Sequence, residues 1–75
     1  MKTLKEVLLY ETDSDTLAVI EDGGWVKGVV YIDSEDLATT SLPQSLLNRE
    51  VKEVTNDDSY YLGGSIISCY VIDLK

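Results

Sequence analysis

Four acidic residues have the spacing of oxygen ligands in a calcium-binding loop. They are Glu11, Asp13 and Asp15 at alternate positions, with Asp22 at the end of the loop. A calcium loop also needs glycine at its sixth position for a sharp bend, and this sequence has Thr16 there. Residues 16–22 are moreover rich in strand-forming side chains. We therefore expect no calcium site.

A second acidic motif is similar to half of a metal-dependent nuclease site. Glu50 and Lys52 have the E-x-K spacing in which a carboxylate holds Mg²⁺ beside a lysine. The sequence places no partner carboxylate on a neighbouring strand, and the chain's net charge of −8 would repel DNA. The motif is therefore interpreted as an exposed ion pair on a strand.

Nucleophilic catalysis has little support in this composition. The chain has no histidine, which excludes Ser/His and Cys/His pairs and zinc sites made from histidine and cysteine. The glycine pairs at 23–24 and 63–64 lack the spacing and the lysine of a phosphate-binding loop. Cys69 lies in an apolar run, which predicts a buried and inert thiol. We expect a protein that is not an enzyme and that holds no cofactor or metal.

The charge balance points to a different class of partner. Fourteen acidic residues against six basic ones disfavour direct binding to nucleic acid or to an anionic membrane surface. Such a protein is attracted to basic protein surfaces, and salt weakens that attraction. A role in solubility alone remains the alternative. No apolar run is long enough to span a bilayer, and with a single cysteine we expect a cytoplasmic protein.

The 75 residues can form one domain, residues 1–75, with a single small core. Thr3 and Glu6 have capping-box spacing at the start of an amphipathic segment, which predicts a helix over residues 3–10. A strand over residues 4–10 is the competing interpretation, because Val7 begins a run that could also pair into a sheet.

A hairpin is the strongest local signal. Two runs rich in β-forming residues flank Gly23 and Gly24, and glycine supplies the positive φ angles of tight turns. Strict alternation in the second run would divide its side chains between two faces. The predicted core face has Val26, Gly28, Val30 and Ile32, and the predicted outer face has Trp25, Lys27, Val29 and Tyr31.

The rest of the chain predicts a helical turn and two more strands. Ser41 can cap the turn and Pro43 suits its first residues. "EVKEVTNDD" predicts a short edge strand, "SYYLGG" a loop or turn, and "SIISCYVIDL" a central strand. The predicted fold class is α+β, a small four-stranded and mostly antiparallel sheet with a short N-terminal helix and a helical turn. The alternative is a small five-stranded β-barrel.

Acidic clusters recur at predicted turns and strand ends. Glu21 and Asp22 are explained by the hairpin turn, but the acids beyond residue 32 are not. Both ends of the hairpin remote from Gly23–Gly24 carry acids, and these ends should lie together in space. Tyr31 would add an aromatic anchor. The predicted partner-binding residues are Asp13, Asp15, Tyr31, Asp33, Glu35 and Asp36.

Four stretches, "MKTLKEVL", "LAVIEDGG", "LPQSLLNREVKEV" and "YVIDLK", give the chain a resemblance to a known class. It resembles the short acidic proteins that bacteriophages and prophages encode, especially those of Gram-positive bacteria. That class includes inhibitors of host defence such as anti-CRISPR proteins, some of which imitate DNA with carboxylates. The resemblance implies an inhibitor that blocks a basic, nucleic-acid-handling host protein, and it assigns no functional residue.

The alternative function is a structural or assembly protein. It would act as a homo-oligomer, with a dimer as the simplest case, by pairing edge strands or the face that contains Trp25, Val29 and Tyr31.

Overall fold

A computed structural model describes residues 2–12, 15–32 and 42–75 of the chain. These residues form two short helices and four strands. In chain order they are α1 (Leu4–Tyr10), β1 (Thr16–Asp22), β2 (Trp25–Ile32), α2 (Gln44–Leu47), β3 (Val51–Leu62) and β4 (Ser65–Leu74). Neither helix is long and apolar enough to cross a membrane.

The four described strands form one mixed sheet in the order β2-β1-β4-β3. Both hairpin pairs are antiparallel, whereas β1 and β4 run parallel in the centre of the sheet. The prediction of a small α+β fold with four strands is confirmed, and the sheet is mixed, with two antiparallel pairings and one parallel pairing. The barrel alternative is wrong, because β2 and β3 are the two borders of an open sheet.

Helix α1 begins as its capping signal predicts. The side-chain oxygen of Thr3 accepts a hydrogen bond from the Glu6 backbone N–H at 3.3 Å, and a Glu6 carboxylate oxygen accepts one from the Thr3 backbone N–H at 3.1 Å. These reciprocal bonds satisfy two donors that the first helical turn leaves without partners. The helix buries Leu4, Val7 and Leu8 completely, so the interpretation of residues 4–10 as a strand is wrong.

The main core lies between α1, α2 and one face of the sheet, which we call the helix face. Each strand alternates its side chains between two faces, so every second residue of the inner strands enters this core. Its fully or almost fully buried members include Leu4, Val7, Leu8, Ala18, Ile20, Val30, Ile32, Leu47, Ile72 and Leu74. The opposite side of the sheet is called the open face below.

A β-bulge in β2 overturns part of the predicted face assignment. The register places Gly28 opposite Ile20 but Val26 opposite Glu21, so β2 has one extra residue, Lys27. An extra residue shifts the alternation by one position. Val26 therefore shares the open face with Val29 and Tyr31, and Trp25 does not. Strict alternation gave the wrong face for both residues at the start of the strand.

The second hairpin is longer than the sequence predicts. β3 has twelve residues and continues through Tyr60 and Tyr61 to a turn at Gly63–Gly64, where we predicted a short strand followed by a loop or turn from residue 59. β3 is an edge strand and β4 is central, as predicted. The helical turn is α2, with Pro43 at its N-terminal boundary. The predicted cap, Ser41, lies outside the described residues.

Candidate functional site

The structure brings two of the predicted binding residues together. The Tyr31 hydroxyl donates a hydrogen bond to the Asp15 carboxylate at 3.3 Å, and the Asp15 backbone N–H donates one to the Ile32 carbonyl oxygen at 2.6 Å. Asp15 also has a positive φ of 61°, which aspartate tolerates better than most residues. The other four predicted residues, Asp13, Asp33, Glu35 and Asp36, lie outside the described residues.

A second acidic feature crosses the open face of the sheet. Glu21 on β1 is in register with Asp73 on β4, and Asp73 is in register with Glu53 on β3. Residues paired directly across strands point to the same face, with their Cβ atoms about 5 Å apart. We call these three residues the carboxylate row. Glu53 is exposed, and the other two are partly exposed.

The ion pairs among the described residues engage other carboxylates. Lys2 Nζ lies 2.6 Å from a Glu11 oxygen, Arg49 lies 3.1 Å from Asp22, and Lys75 Nζ lies 3.8 Å from Glu50. These contacts use half of the chain's six basic residues. None of these three contacts uses a carboxylate of the carboxylate row.

Tyr60 connects the two halves of the sheet. Its hydroxyl donates a hydrogen bond to a Glu21 carboxylate oxygen at 2.6 Å. The register places Tyr60 opposite Ile67 and Glu21 beside Asp73. Along β4, these two partner positions, 67 and 73, are separated by about 20 Å at about 3.3 Å per residue. Two side chains cannot bridge that length in a flat sheet, so the β3–β4 ribbon must curl over the open face.

The bend coincides with an irregularity in β3. The register shifts between Asp57 and Tyr60, which leaves two residues without direct partners on β4. Neighbouring polar groups satisfy this segment, since the Ser59 backbone N–H donates to Asp57 at 2.8 Å and the Ser68 hydroxyl donates to Asp58 at 3.2 Å. Bulges increase strand twist and bend the ribbon. Both acids of the 57–58 cluster therefore stabilise the bend.

The curled ribbon encloses a small second core on the open face. Val19 and Cys69 are fully buried there, although they lie on the opposite side of the sheet from both helices. Burial raises the pKa of the Cys69 thiol, and the negative charges of Asp57 and Glu21 raise it further. The prediction that Cys69 is buried is confirmed, and a protonated thiol is a poor nucleophile.

Tyr60 should ionise later than an ordinary tyrosine. The hydrogen bond to Glu21, followed by burial and by the charge of Glu21, raises the pKa of Tyr60 from 10.0 to about 12. Because the folded state favours the protonated phenol, this group contributes stability below pH about 10 and loses that contribution as the pH rises to about 12. In a pH titration followed by tyrosinate absorbance, one tyrosine should ionise at about pH 12, and Y60F should remove that ionisation. A Y60F titration identical to that of the original chain would contradict the assignment.

The Glu50–Lys52 motif lies near a pocket of about 420 Å³ between α1, the start of β3 and the C-terminal residue. Lys2, Lys52 and Lys75 contribute to its lining, and Val51 and Val54 form apolar parts of it. The ion pairs of Lys2 with Glu11 and of Lys75 with Glu50 compensate two of these charges. The cation beside the Glu50 carboxylate is thus Lys75, and not the Lys52 of its own motif.

The carboxylate row escaped the sequence analysis because its members belong to three separate stretches. The sequence pattern places Glu21 in a turn and Glu53 and Asp73 in two separate strands. A parallel β1–β4 pair brings the first and the last into register. Only the register between distant strands contains this information, so no local spacing could have revealed the row.

Within the described ranges, no three acidic or cysteine side chains converge in a way that could hold a metal ion. The carboxylate row is thus a surface feature in which three negative charges are distributed across neighbouring strands and do not converge on a single binding point. The chain matches no family model, no curated protein and no solved structure.

Proposed function

We propose that this chain is a binding protein that occupies the basic, nucleic-acid-contacting surface of another protein. In a bacterial cell that carries a phage or prophage, such a protein would act as a cytoplasmic inhibitor of a nucleic-acid-handling enzyme, by the same principle as an anti-CRISPR protein. It would need no catalytic group and no cofactor.

The carboxylate row is the observation that carries this proposal. Three adjacent strands present Glu21, Asp73 and Glu53 side by side, with regular spacing of about 5 Å. A rigid sheet holds these charges in place, so little conformational freedom is lost when a basic surface binds. A net charge of −8 adds long-range attraction to the same class of partner.

The predicted acidic patch is the second part of the proposed surface. Asp15 lies beside Ile32, the last residue of β2, which precedes residues 33–36 in the sequence. Those residues include Asp33, Glu35 and Asp36. In this proposal the patch and the carboxylate row bind one extended basic surface, with Tyr31 as an apolar contact near the patch.

Capture from a nuclease-treated lysate of a Gram-positive bacterium tests the proposal. At about 0.1 M salt the immobilised chain should retain a nucleic-acid-binding protein, and at about 1 M salt it should release it, because the Debye length falls from about 10 Å to about 3 Å. The purified partner, bound to a fluorescent DNA duplex, should then release the duplex when the chain is added, and the fluorescence anisotropy of the duplex should fall. Retention of the duplex in excess chain would overturn the proposal.

Matched variants locate the surface. Glu53→Gln with Asp73→Asn changes the net charge from −8 to −6, and the control, Glu50→Gln with Asp58→Asn, does the same. The first pair should weaken partner binding about tenfold or more, because it removes charges from a shared face. The control should have a much smaller effect. Equal losses in both variants would show that only net charge matters.

A variant of the predicted patch, Asp33→Asn with Glu35→Gln and Asp36→Asn, completes the comparison. If both surfaces contact the partner, this variant should also weaken binding, and combining it with Glu53→Gln and Asp73→Asn should weaken binding further. Unchanged affinity would remove residues 33–36 from the proposed surface while leaving the carboxylate row in it.

The second candidate function is a structural protein that acts as a homo-oligomer. The observation that favours it is the exposure of apolar side chains on β2, an edge strand of the described sheet. Light scattering separates the two functions. A stable oligomer of many copies, together with no captured partner at low salt, would favour assembly.

A further inference from the structure

Exposed apolar side chains are concentrated on one border of the sheet. Seven large hydrophobic residues of the described chain are exposed, and four of them lie on β2. Val26, Val29 and Tyr31 share the open face, with exposed fractions of 45%, 43% and 52%. An edge strand with apolar side chains is a template for pairing with another strand.

The charge of β2 distinguishes it from the rest of the sheet. β2 contains no acidic residue and has one cation, Lys27. Each of the other three described strands contains at least one acid, and the opposite border, β3, contains Glu53, Asp57 and Asp58. Two copies of a chain with a charge of −8 repel each other over most of their surface. Among the described strands, β2 is where two copies can approach at the lowest electrostatic cost.

We propose that two copies of this chain associate through β2, antiparallel and about a two-fold axis. The bulge at Lys27 confines regular pairing to residues 28–32, where the register of β2 against β1 has no shift. When the two-fold axis passes through residue 29 or residue 30, Val29 of one copy lies directly opposite residue 29 or residue 31 of the other, respectively, and both registers keep the faces aligned. The contact is self-complementary, as a two-fold interface must be.

The symmetry of this contact has a consequence for the whole dimer. An antiparallel pair of identical strands is related by an axis perpendicular to the sheet, so both copies keep the same face on the same side. The eight described strands form one continuous sheet with all helices on one side. Both carboxylate rows lie on the other side. This inference does not depend on the proposed function, although the dimer would double the acidic surface.

The dimer should be weak. Its affinity should increase with salt, whereas the affinity for a basic partner should decrease. Pairing along five residues buries less than the roughly 1,200–2,000 Å² of a stable interface, so we expect a dissociation constant in the micromolar range or above. Salt screens the repulsion between two acidic bodies and leaves apolar contacts in place. Dimerisation should therefore strengthen as salt rises, while binding to a basic partner weakens.

Sedimentation equilibrium on the full chain tests the proposal with two matched variants. Val29→Asp places acidic groups close to each other across the two-fold axis and should raise the dimer dissociation constant at least about tenfold. Ile66→Asp adds the same charge at a 70% exposed position on β4, a strand that does not pair with β2, and should leave the constant close to that of the original chain.

Val29→Lys is a second variant at the same position, and it separates repulsion at the two-fold axis from an increase in net negative charge. It also places like charges together at the axis, but it lowers the net charge from −8 to −7. Far-ultraviolet circular dichroism confirms that each variant is folded. The proposal is overturned if the original chain stays monomeric at millimolar concentration in high salt, or if folded Val29→Asp and Val29→Lys variants dimerise as the original chain does.

Discussion

Replacing Ile72 with alanine is expected to lower the free energy of unfolding by about 2–5 kcal/mol. Ile72 is fully buried on the central strand β4 and belongs to the main core. Its register partners are Ile20 on β1 and Val54 on β3, so a cavity at this position would lie between two strands and the helices. Paired strands cannot close around it, because their spacing of about 4.8 Å is set by backbone hydrogen bonds.

The expected loss is a large share of the total. A chain of 75 residues has a stability of about 4–11 kcal/mol at about 0.05–0.15 kcal/mol per residue. Urea denaturation followed by circular dichroism should therefore show a much lower midpoint for I72A, with a similar slope.

The same substitution, isoleucine to alanine, at an exposed position of β4 provides the control. Ile66 lies on the same strand but is 70% exposed, and Ile66→Ala should change stability by no more than about 0.5 kcal/mol. Equal effects of the two substitutions would contradict the assignment of the core to the helix face.

Replacing Tyr60 with alanine should expose Cys69 to thiol reagents. The Tyr60 hydroxyl holds the curled ribbon against β1 through Glu21, and Cys69 is fully buried. A hydrogen bond to a charged group is worth about 1.5–3 kcal/mol, and a tenfold change in an opening equilibrium corresponds to about 1.4 kcal/mol. The rate of Cys69 modification should therefore rise at least about tenfold. A lowered thiol pKa in the opened site would act in the same direction.

Tyr61 provides the matched control for this experiment. It is the next residue along β3 but is 71% exposed, so Tyr61→Ala should leave the modification rate close to that of the original chain. Tyr60→Phe should give an intermediate rate, because it keeps the ring and removes the hydrogen bond. If both alanine variants react at the same rate, another part of the chain must shield Cys69.

The elements that the sequence predicted correctly are those that short-range chemistry specifies. The capping residues Thr3 and Glu6 determine where α1 begins, since the bonds they make span three positions. Gly23 and Gly24 adopt positive φ angles of 61° and 88° at the first hairpin turn, as predicted. Glycine reaches this region without the steric cost that a Cβ atom brings.

The errors lie where an element depends on its partner. Lys27 became an extra residue because the register of β2 against β1 shifts there, and the pattern of β2 alone has no sign of that shift. Tyr60 and Tyr61, beside two acids and two glycines, looked like loop residues. Pairing with β4 makes them strand, because a partner strand supplies hydrogen bonds that override weak local preference.

The sequence by itself determined the helix start, the turn at Gly23–Gly24, the burial of Cys69 and the strong negative charge. All of these depend on residue type or on spacings of a few positions. Only the tertiary structure decided that β1 and β4 are parallel neighbours, that the β3–β4 ribbon curls until Tyr60 meets Glu21, and that three separate acids form the carboxylate row. The physical reason is that these features depend on register between segments distant in the chain, which the packing of the whole core selects.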